Sequence, residues 1–210
     1  MTEITHQTKG NQQLLTPGEP VVLLLHGYGA DERDLPELMN FLPRLPWVSP
    51  RAPMSSEVGG FSWYTVENPL EPDQAAISAA TETLWRWIDG NVPADSPIVA
   101  LGFSQGGLMA TQLLRTRPER ILGTVILAGF VFDGELVGDE ALKALKPKVF
   151  YGRGLQDSMI DQQRVGKLNA WLQLHSRAVT KKYDGLGHSI DQRVMSDVDD
   201  FVENLLAVLG

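Results

Sequence analysis

Short apolar runs alternate with longer amphipathic segments along this chain, and this alternation constrains the fold more than any other feature. Val21–Leu25 is a continuous run of branched apolar side chains followed by a glycine-containing turn, which is typical of a strand buried on both faces. Runs of the same kind lie at 98–101, 125–128 and 149–151. The run at 178–183 is more mixed and predicts an edge strand.

The segments between these runs have helical periodicity. Asp73 is a candidate N-cap for a helix that we expect Gly90 to end. Two later helices are predicted by apolar residues at helical spacing, namely Val165, Leu168 and Leu172, then Val194, Val198, Phe201, Leu205 and Leu209. Buried strands alternating with helices predict a single α/β domain with a mostly parallel sheet covered on both faces. We assign this domain to residues 20–210, with residues 1–19 as its N-terminal arm or an edge hairpin.

Composition narrows the class of function. The 210 residues carry 26 acidic and 18 basic side chains, a net charge of −8, so the chain is poorly suited to bind nucleic acid or an anionic membrane. The lack of cysteine excludes disulfides and a thiolate nucleophile. No apolar run approaches the roughly 20 residues that cross a bilayer, and the N-terminal residues show no secretory signal. We expect a cytoplasmic protein, monomeric or homodimeric, without stable membrane insertion.

A G-x-S-x-G motif centred on Ser104 follows the apolar run at 98–101 and precedes a helical pattern. In this context the serine occupies a sharp, strained strand-to-helix turn, where only glycine fits easily at Gly102 and Gly106. The amide of Gln105 then points into the same space as the serine hydroxyl. A chance occurrence of the motif is the alternative, since it is short. We interpret Ser104 as a nucleophile.

A serine nucleophile needs a general base, usually histidine. The chain has four histidines. His6 lies in the polar N-terminal arm, His26 belongs to a motif after the first strand, and His175 ends a helix, where it would be a surface or packing residue. His188 follows the last predicted strand in a glycine-containing loop, although a loop histidine that only caps a helix would look the same. We predict that His188 is the base.

The third group should be a carboxylate between the serine and the histidine in chain order, in a loop after a strand. Asp157 meets both conditions. Asp133 follows the preceding strand and competes with it. Asp161 is expected to face solvent in the next helix, and Asp184 is too close to His188 along the chain. Asp157 is therefore the predicted acid.

The sequence His26-Gly27-Tyr28-Gly29 follows the first strand. A sharp loop there can present the Tyr28 amide opposite that of Gln105 as a second oxyanion donor, although alone the motif predicts only a turn. No spacing typical of metal ligands is present. We therefore expect no metal and no cofactor.

Apolar side chains on loops near the same sheet edge predict a substrate-binding wall suited to a small-molecule ester with a short or medium acyl chain. These residues are Met54, Phe61, Trp63, Phe130, Phe132, Leu155 and Met159. The alternative is that several of them only pack beneath the loops. The stretch 133–146 is short, so we expect no large cap over the site.

Together these residues resemble the α/β-hydrolase superfamily, and more narrowly its phospholipase/carboxylesterase family, which includes acyl-protein thioesterases. The resemblance spans residues 20–190 and depends on L-H-G-Y-G-A-D at 25–31, P-R-A-P at 50–53, F-S-W-Y at 61–64, G-F-S-Q-G-G at 102–107, G-R-G at 152–154 with Asp157, and G-H at 187–188. It implies Ser104 as nucleophile, Asp157 as acid and His188 as base. Tyr28 and Gln105 would supply the oxyanion amides.

The chain departs from the family at two places. Ser158-Met159 stands where the family often has Pro-Val, and Tyr28 stands where its thioesterases usually have leucine. The resulting hypothesis is a serine carboxylesterase acting through an acyl-enzyme. Two alternatives stay open: an acyl-protein or acyl-CoA thioesterase or lysophospholipase with the same machinery, and a non-catalytic binding domain that keeps the fold.

Overall fold

A seven-stranded sheet lies at the centre of the structure, a computed structural model that describes residues 3–5, 7–10, 15–42, 45–64 and 72–207. Within these residues the strands are β1 (Gln7–Gly10), β2 (Val21–Leu25), β3 (Trp47–Pro50), β4 (Met54–Ser55), β5 (Phe61–Ser62), β6 (Ile98–Phe103), β7 (Ile121–Leu127), β8 (Lys148–Gly154) and β9 (Arg177–Tyr183). The α-helices are α1 (Gln74–Asn91), α2 (Gln105–Thr116), α3 (Gly138–Leu145), α4 (Gln162–His175) and α5 (Gln192–Leu206).

The strand order is β1-β3-β2-β6-β7-β8-β9, and every neighbouring pair is parallel except β1 with β3. This confirms the predicted mostly parallel sheet. Part of the N-terminal arm thus forms an antiparallel edge strand, while residues 11–14 lie outside the described part. The run at 178–183 lies within β9, the opposite edge strand, as predicted. A separate hairpin pairs β4 with β5.

Helices cover both faces of the sheet. Because side chains alternate along each buried strand, every such strand contributes to a core on each face. In β2, Val21, Leu23 and Leu25 pack into a core that includes α1, α2 and α4, whereas Val22 and Leu24 pack into a second core with α5. All five residues are fully buried. A continuous apolar run was required for this position, because neither face of a central strand meets solvent.

The N-cap of α1 is as predicted, but its end is not. Asp73 accepts a hydrogen bond from the Ala76 amide at 2.6 Å. The prediction that Gly90 ends this helix was wrong, because α1 continues to Asn91 and the amide of Val92 still bonds to the Ile88 carbonyl. Val92 turns to an extended conformation with its side chain buried in the core, so packing sets the helix end. For the C-terminal helix, Leu209 lies outside the described residues.

The connection between β7 and β8 contains only the short helix α3, so the described residues include no separate cap domain. No described helix combines the length and the apolar character that a bilayer span requires. The carboxyl ends of the parallel strands β2, β6, β7, β8 and β9 lie along one edge of the sheet. In folds of this kind ligands bind at that edge.

Candidate active site

Ser104 lies between β6 and α2 with φ 52° and ψ −115°, a conformation that non-glycine residues rarely adopt. A Cβ atom at Gly102 would lie 2.1 Å from the carbonyl oxygen of Gly106, and one at Gly106 would lie 1.9 Å from that of Leu25. The turn therefore requires glycine at both positions. This is the strained strand-to-helix turn that the sequence predicts.

The first turn of α2 leaves the amide of Gln105 without a backbone acceptor in the described part of the chain. The amides of Gly107 and Leu108 donate to the Ser104 carbonyl. Among the described residues, the amides of Gln105 and Tyr28 donate to no backbone carbonyl. A helix N-terminus adds partial positive charge at such a place. These two amides are thus available to an anion.

The loop that carries Tyr28 lies against the turn that carries Ser104. A Cβ atom at Gly27 would lie 3.5 Å from Cβ of Ser104 and 3.2 Å from Cδ1 of Phe103. Glycine at position 27 lets the two loops approach this closely. Tyr28 and the serine turn therefore share one edge of the sheet.

Asp157 and His188 are joined by a hydrogen bond of 2.9 Å between Oδ2 and Nδ1. The other carboxylate oxygen accepts from the amides of Met159 and Ile160 at 2.9 and 3.1 Å. Because an ionised carboxylate only accepts hydrogen bonds, Nδ1 carries the imidazole proton and Nε2 is left with its lone pair. The Asp157 side chain is 1% exposed and that of His188 is 18% exposed.

The imidazole of His188 lies beside the serine turn. Its ring centroid is 4.8 Å from that of Phe103, the residue before Ser104. Among the described residues, the Ser104 hydroxyl forms no hydrogen bond. Bonds between a nucleophile and its base are often long without substrate and shorten when substrate binds.

The other carboxylates considered from the sequence lie elsewhere. The side chain of Asp133 is 68% exposed and pairs with Lys167. Asp161 caps α4 by accepting from the Arg164 amide at 2.8 Å. Asp184 is exposed and accepts a hydrogen bond from the side chain of Gln156. Of the four carboxylates, Asp157 is the one that contacts His188.

Two other histidines have structural contacts, and His6 lies outside the described residues. His26 is fully buried and accepts a hydrogen bond from the Ala52 amide at Nε2, 3.0 Å away. Burial lowers the pKa of His26, so it is neutral at pH 7 with its proton on Nδ1. His175 is buried, and its Nδ1 lies 2.8 Å from the Trp171 carbonyl. His26 and His175 therefore act in packing.

The side chain of Gln105 is a feature that sequence reasoning missed. It is 1% exposed, and its Oε1 accepts a hydrogen bond from the Trp63 amide at 3.0 Å. Its Nε2 donates to Ser62 Oγ at 3.1 Å. The only signal in the sequence is an amide side chain at the start of an otherwise apolar helix, which does not identify the partners.

The predicted substrate-binding residues do not form a single cavity. Met54 and Trp63 line a cavity of about 170 Å³ against α1. Phe130 and Phe132 line another of about 320 Å³ against α4. Trp63 is 1% and Phe130 2% exposed, so each contributes mainly to the core.

The other three members of this set have different surroundings. The ring of Phe61 lies 4.5 Å from the Arg51 guanidinium. Leu155 and Met159 are 47% and 59% exposed, in the loop that carries Asp157. They are accessible to a substrate at the sheet edge. The role of the whole set in binding stays a prediction.

The described residues contain no group of three or more histidine, aspartate or glutamate side chains placed to hold a metal ion. The turn of Ser104, the Asp157–His188 pair and the loop that carries Tyr28 lie at this edge of the sheet.

Comparison with known proteins gives one family. The family model for phospholipase/carboxylesterase matches residues 13–206. The chain is 26% identical to acyl-protein thioesterase 1 of Kluyveromyces lactis, over 90% of this chain and 93% of that protein. It is also 26% identical to a probable carboxylesterase of Oryza sativa subsp. japonica, over 88% of this chain and 77% of that protein.

A solved structure shows the same fold. The carboxylesterase of Bacillus cereus superposes with a TM-score of 0.79 at 20% identity and covers 95% of this chain and 93% of its own. The fold is therefore that of an α/β hydrolase, as the resemblance implies. The family match covers the serine turn and the Asp157–His188 pair, and the chain belongs to the phospholipase/carboxylesterase family of hydrolases.

Proposed function

We propose that this esterase is a serine carboxylesterase that hydrolyses small or medium-chain carboxylic esters through Ser104, His188 and Asp157. The observation that carries the proposal is the 2.9 Å hydrogen bond between Asp157 and His188 at the edge where Ser104 lies. In the neutral imidazole that bond keeps the proton on Nδ1, so Nε2 carries the lone pair that a general base requires. The strained turn at Ser104 carries the hydroxyl, and the amides of Gln105 and Tyr28 donate to no backbone carbonyl among the described residues.

In the first half of the reaction, the Ser104 oxygen attacks the ester carbonyl carbon while His188 Nε2 takes the hydroxyl proton. The carbonyl oxygen becomes an anion, which accepts hydrogen bonds from the amides of Tyr28 and Gln105. The intermediate collapses as the carbon–oxygen bond to the alcohol breaks. His188 gives its proton to the leaving alkoxide, and the acyl group remains on Ser104.

In the second half, water attacks the acyl-enzyme. His188 takes a proton from the water as its oxygen bonds to the acyl carbon, and the same two amides hold the new oxyanion. The bond to Ser104 then breaks, and His188 returns the proton to the serine oxygen. The carboxylic acid leaves and the enzyme regains its starting state. Throughout, Asp157 stabilises the imidazolium and holds its orientation.

Labelling with a fluorophosphonate followed by peptide mapping tests the nucleophile and its activation together. We expect modification of Ser104 in the wild-type protein and none in Ser104→Ala. The same variant should lose about 10⁴-fold or more in kcat while it keeps its fold. Undiminished ester turnover by Ser104→Ala would rule out this mechanism.

A second candidate is a thioesterase with the same machinery, favoured by the match to acyl-protein thioesterase 1 of Kluyveromyces lactis. Rates on p-nitrophenyl esters of increasing chain length, acyl thioesters and lysolipids distinguish the candidates. We expect the highest kcat/KM on a short or medium ester. A preference for thioesters or lysolipids of more than about tenfold would favour the second candidate or a lysophospholipase.

A further inference from the structure

The segment 61–64 contacts the loop that carries Tyr28. The amide of Phe61 donates to the Ala30 carbonyl at 2.8 Å, and the Gly29 amide donates to the Phe61 carbonyl at 2.9 Å. The indole Nε1 of Trp63 donates to the His26 carbonyl at 2.8 Å. Three hydrogen bonds therefore join this segment to the residues on both sides of Tyr28.

The same segment contacts the serine turn through the side chain of Gln105. Its Oε1 accepts from the Trp63 amide at 3.0 Å, and its Nε2 donates to Ser62 Oγ at 3.1 Å. The Ser62 hydroxyl in turn donates to the Tyr64 carbonyl at 2.6 Å. A carboxamide accepts at its oxygen and donates at its nitrogen without carrying a charge, and Gln105 is only 1% exposed. The segment 61–64 thus bridges the two loops.

We propose that the side chains of Gln105 and Trp63 are positioning residues that fix the Tyr28 amide relative to the Gln105 amide. The inference rests on the proposed function, in which these amides bind the oxyanion. Such donors are effective because they are held in place before the charge develops. A displacement of about 1 Å can cost up to about 10²-fold in rate. Gln105 therefore has two roles. Its backbone amide donates to the oxyanion, and its side chain holds the segment 61–64 against the serine turn.

Trp63→Phe tests this role because it removes the indole donor to the His26 carbonyl and keeps most of the aromatic packing. We expect kcat to fall by about tenfold or more, with KM within about twofold of wild type. Trp85→Phe is the matched control, since it removes an indole bond of 2.7 Å to Thr116 Oγ1, which joins α1 to α2. It should leave both kinetic constants unchanged. Thermal unfolding of both variants identifies any loss of folded protein.

A trifluoromethyl ketone supplies a readout that a merely structural role would not change, because its adduct with serine carries the oxyanion. Its affinity for Trp63→Phe should fall by the same factor as kcat/KM. Gln105→Met is the second variant, because it keeps the backbone donor and removes the hydrogen bonds of the side chain. As for Trp63→Phe, we expect kcat to fall while KM stays within about twofold of wild type. If Trp63→Phe does not fold, the kinetics and inhibitor affinity of Gln105→Met test the inference in its place.

The inference is overturned if kcat and inhibitor affinity of a folded Trp63→Phe or Gln105→Met protein stay within twofold of wild type. It is also overturned if activity falls only in proportion to the unfolded fraction. Ser104→Ala, assayed in parallel, separates this result from a failure of the proposed function. If Ser104→Ala is inactive and the positioning variants have wild-type kinetics, only the positioning role of Gln105 and Trp63 is wrong. If Ser104→Ala is fully active, the proposed function itself fails.

Discussion

The carboxylate of Asp157 accepts hydrogen bonds from two backbone amides and from the imidazole of His188. Asp157→Asn would keep the side-chain shape but place an amide where the carboxylate is. The amide favours the wrong imidazole tautomer, with the proton on Nε2. We expect kcat to fall by about 10⁴-fold with little change in the melting temperature, as measured by ester hydrolysis and thermal unfolding.

Asp133→Asn is the control for that experiment. Asp133 was the competing acid in the sequence, and the structure places its side chain in solvent beside Lys167. We expect wild-type kinetics from this variant. Loss of activity in Asp133→Asn with normal activity in Asp157→Asn would show that the acid is assigned to the wrong residue.

For single residues, the sequence predicts those conformations that depend on neighbours along the chain. The conformation of Ser104 follows from a strand, a helix and glycines two positions to either side. The side-chain hydrogen bonds of Gln105 could not be predicted in this way, because the partners Ser62 and Trp63 lie 43 and 42 positions earlier. No local pattern specifies such a pairing, since it arises only when the fold brings the two segments together.

Among the elements, the loop between β7 and α3 is held by a buried ion pair. The Arg115 side chain on α2 is 1% exposed and donates to both carboxylate oxygens of Asp139, at 2.8 and 2.6 Å. It also donates to the carbonyls of Phe132 and Gly134. One guanidinium thus fixes the loop that carries Phe132.

Asp139→Asn should destabilise the fold by about 3–5 kcal/mol, because the Arg115 charge would remain buried without its counterion. Urea unfolding measures the change. Asp89→Asn is the control, since Asp89 pairs with Arg117 where both side chains are at least 40% exposed. It should cost less than about 1 kcal/mol. Equal losses in the two variants would contradict the role assigned to the buried pair.

A second ion pair joins the loop after β2 to the loop after β3. The Arg51 guanidinium donates to both oxygens of Glu32, which is 5% exposed, and this contact lowers the pKa of Glu32 from 4.5 to about 2. Between those pH values the unfolded chain binds a proton that the folded chain does not. The free energy of unfolding therefore falls as pH drops from 4.5 towards 2.

Glu32→Gln should remove this part of the pH dependence. Urea unfolding of wild type should lose up to about 3 kcal/mol more than the variant between pH 5 and pH 2. Glu37→Gln changes an exposed carboxylate nearby and should follow the wild-type curve. Parallel losses in wild type and Glu32→Gln would show that the pair contributes no acid sensitivity.

The elements that the sequence did not predict lack a periodic apolar pattern. β3 is the short run Trp47–Pro50, which contains a serine and a proline and is stabilised by pairing with β1 and β2. α3 begins at a glycine, and Leu142 is its one buried apolar side chain. Pairing and packing define both elements, whereas the central strands carry their own signal in continuous apolar runs.

For the molecule as a whole, the net charge of −8 is a property that sequence gives directly. A uniform negative field lowers the encounter rate of an anionic substrate and does not affect a neutral one. A positive charge at the sheet edge opposes this field. Arg153 on β8 is 5% exposed, and its Nη2 has no hydrogen-bond partner among the described residues. The salt dependence of kcat/KM shows which effect is larger.

We expect the overall charge to dominate, because a field summed over the molecule extends about 30 Å at 0.01 M salt and only about 8 Å at 0.15 M. For a p-nitrophenyl ester with a terminal carboxylate, kcat/KM should rise about two- to threefold between these salt concentrations. A neutral ester with an acyl chain of the same length is the control and should show no change. A fall in kcat/KM for the anionic ester would mean that positive charge near Arg153 governs its approach, and anionic esters would then be the better substrates at low salt.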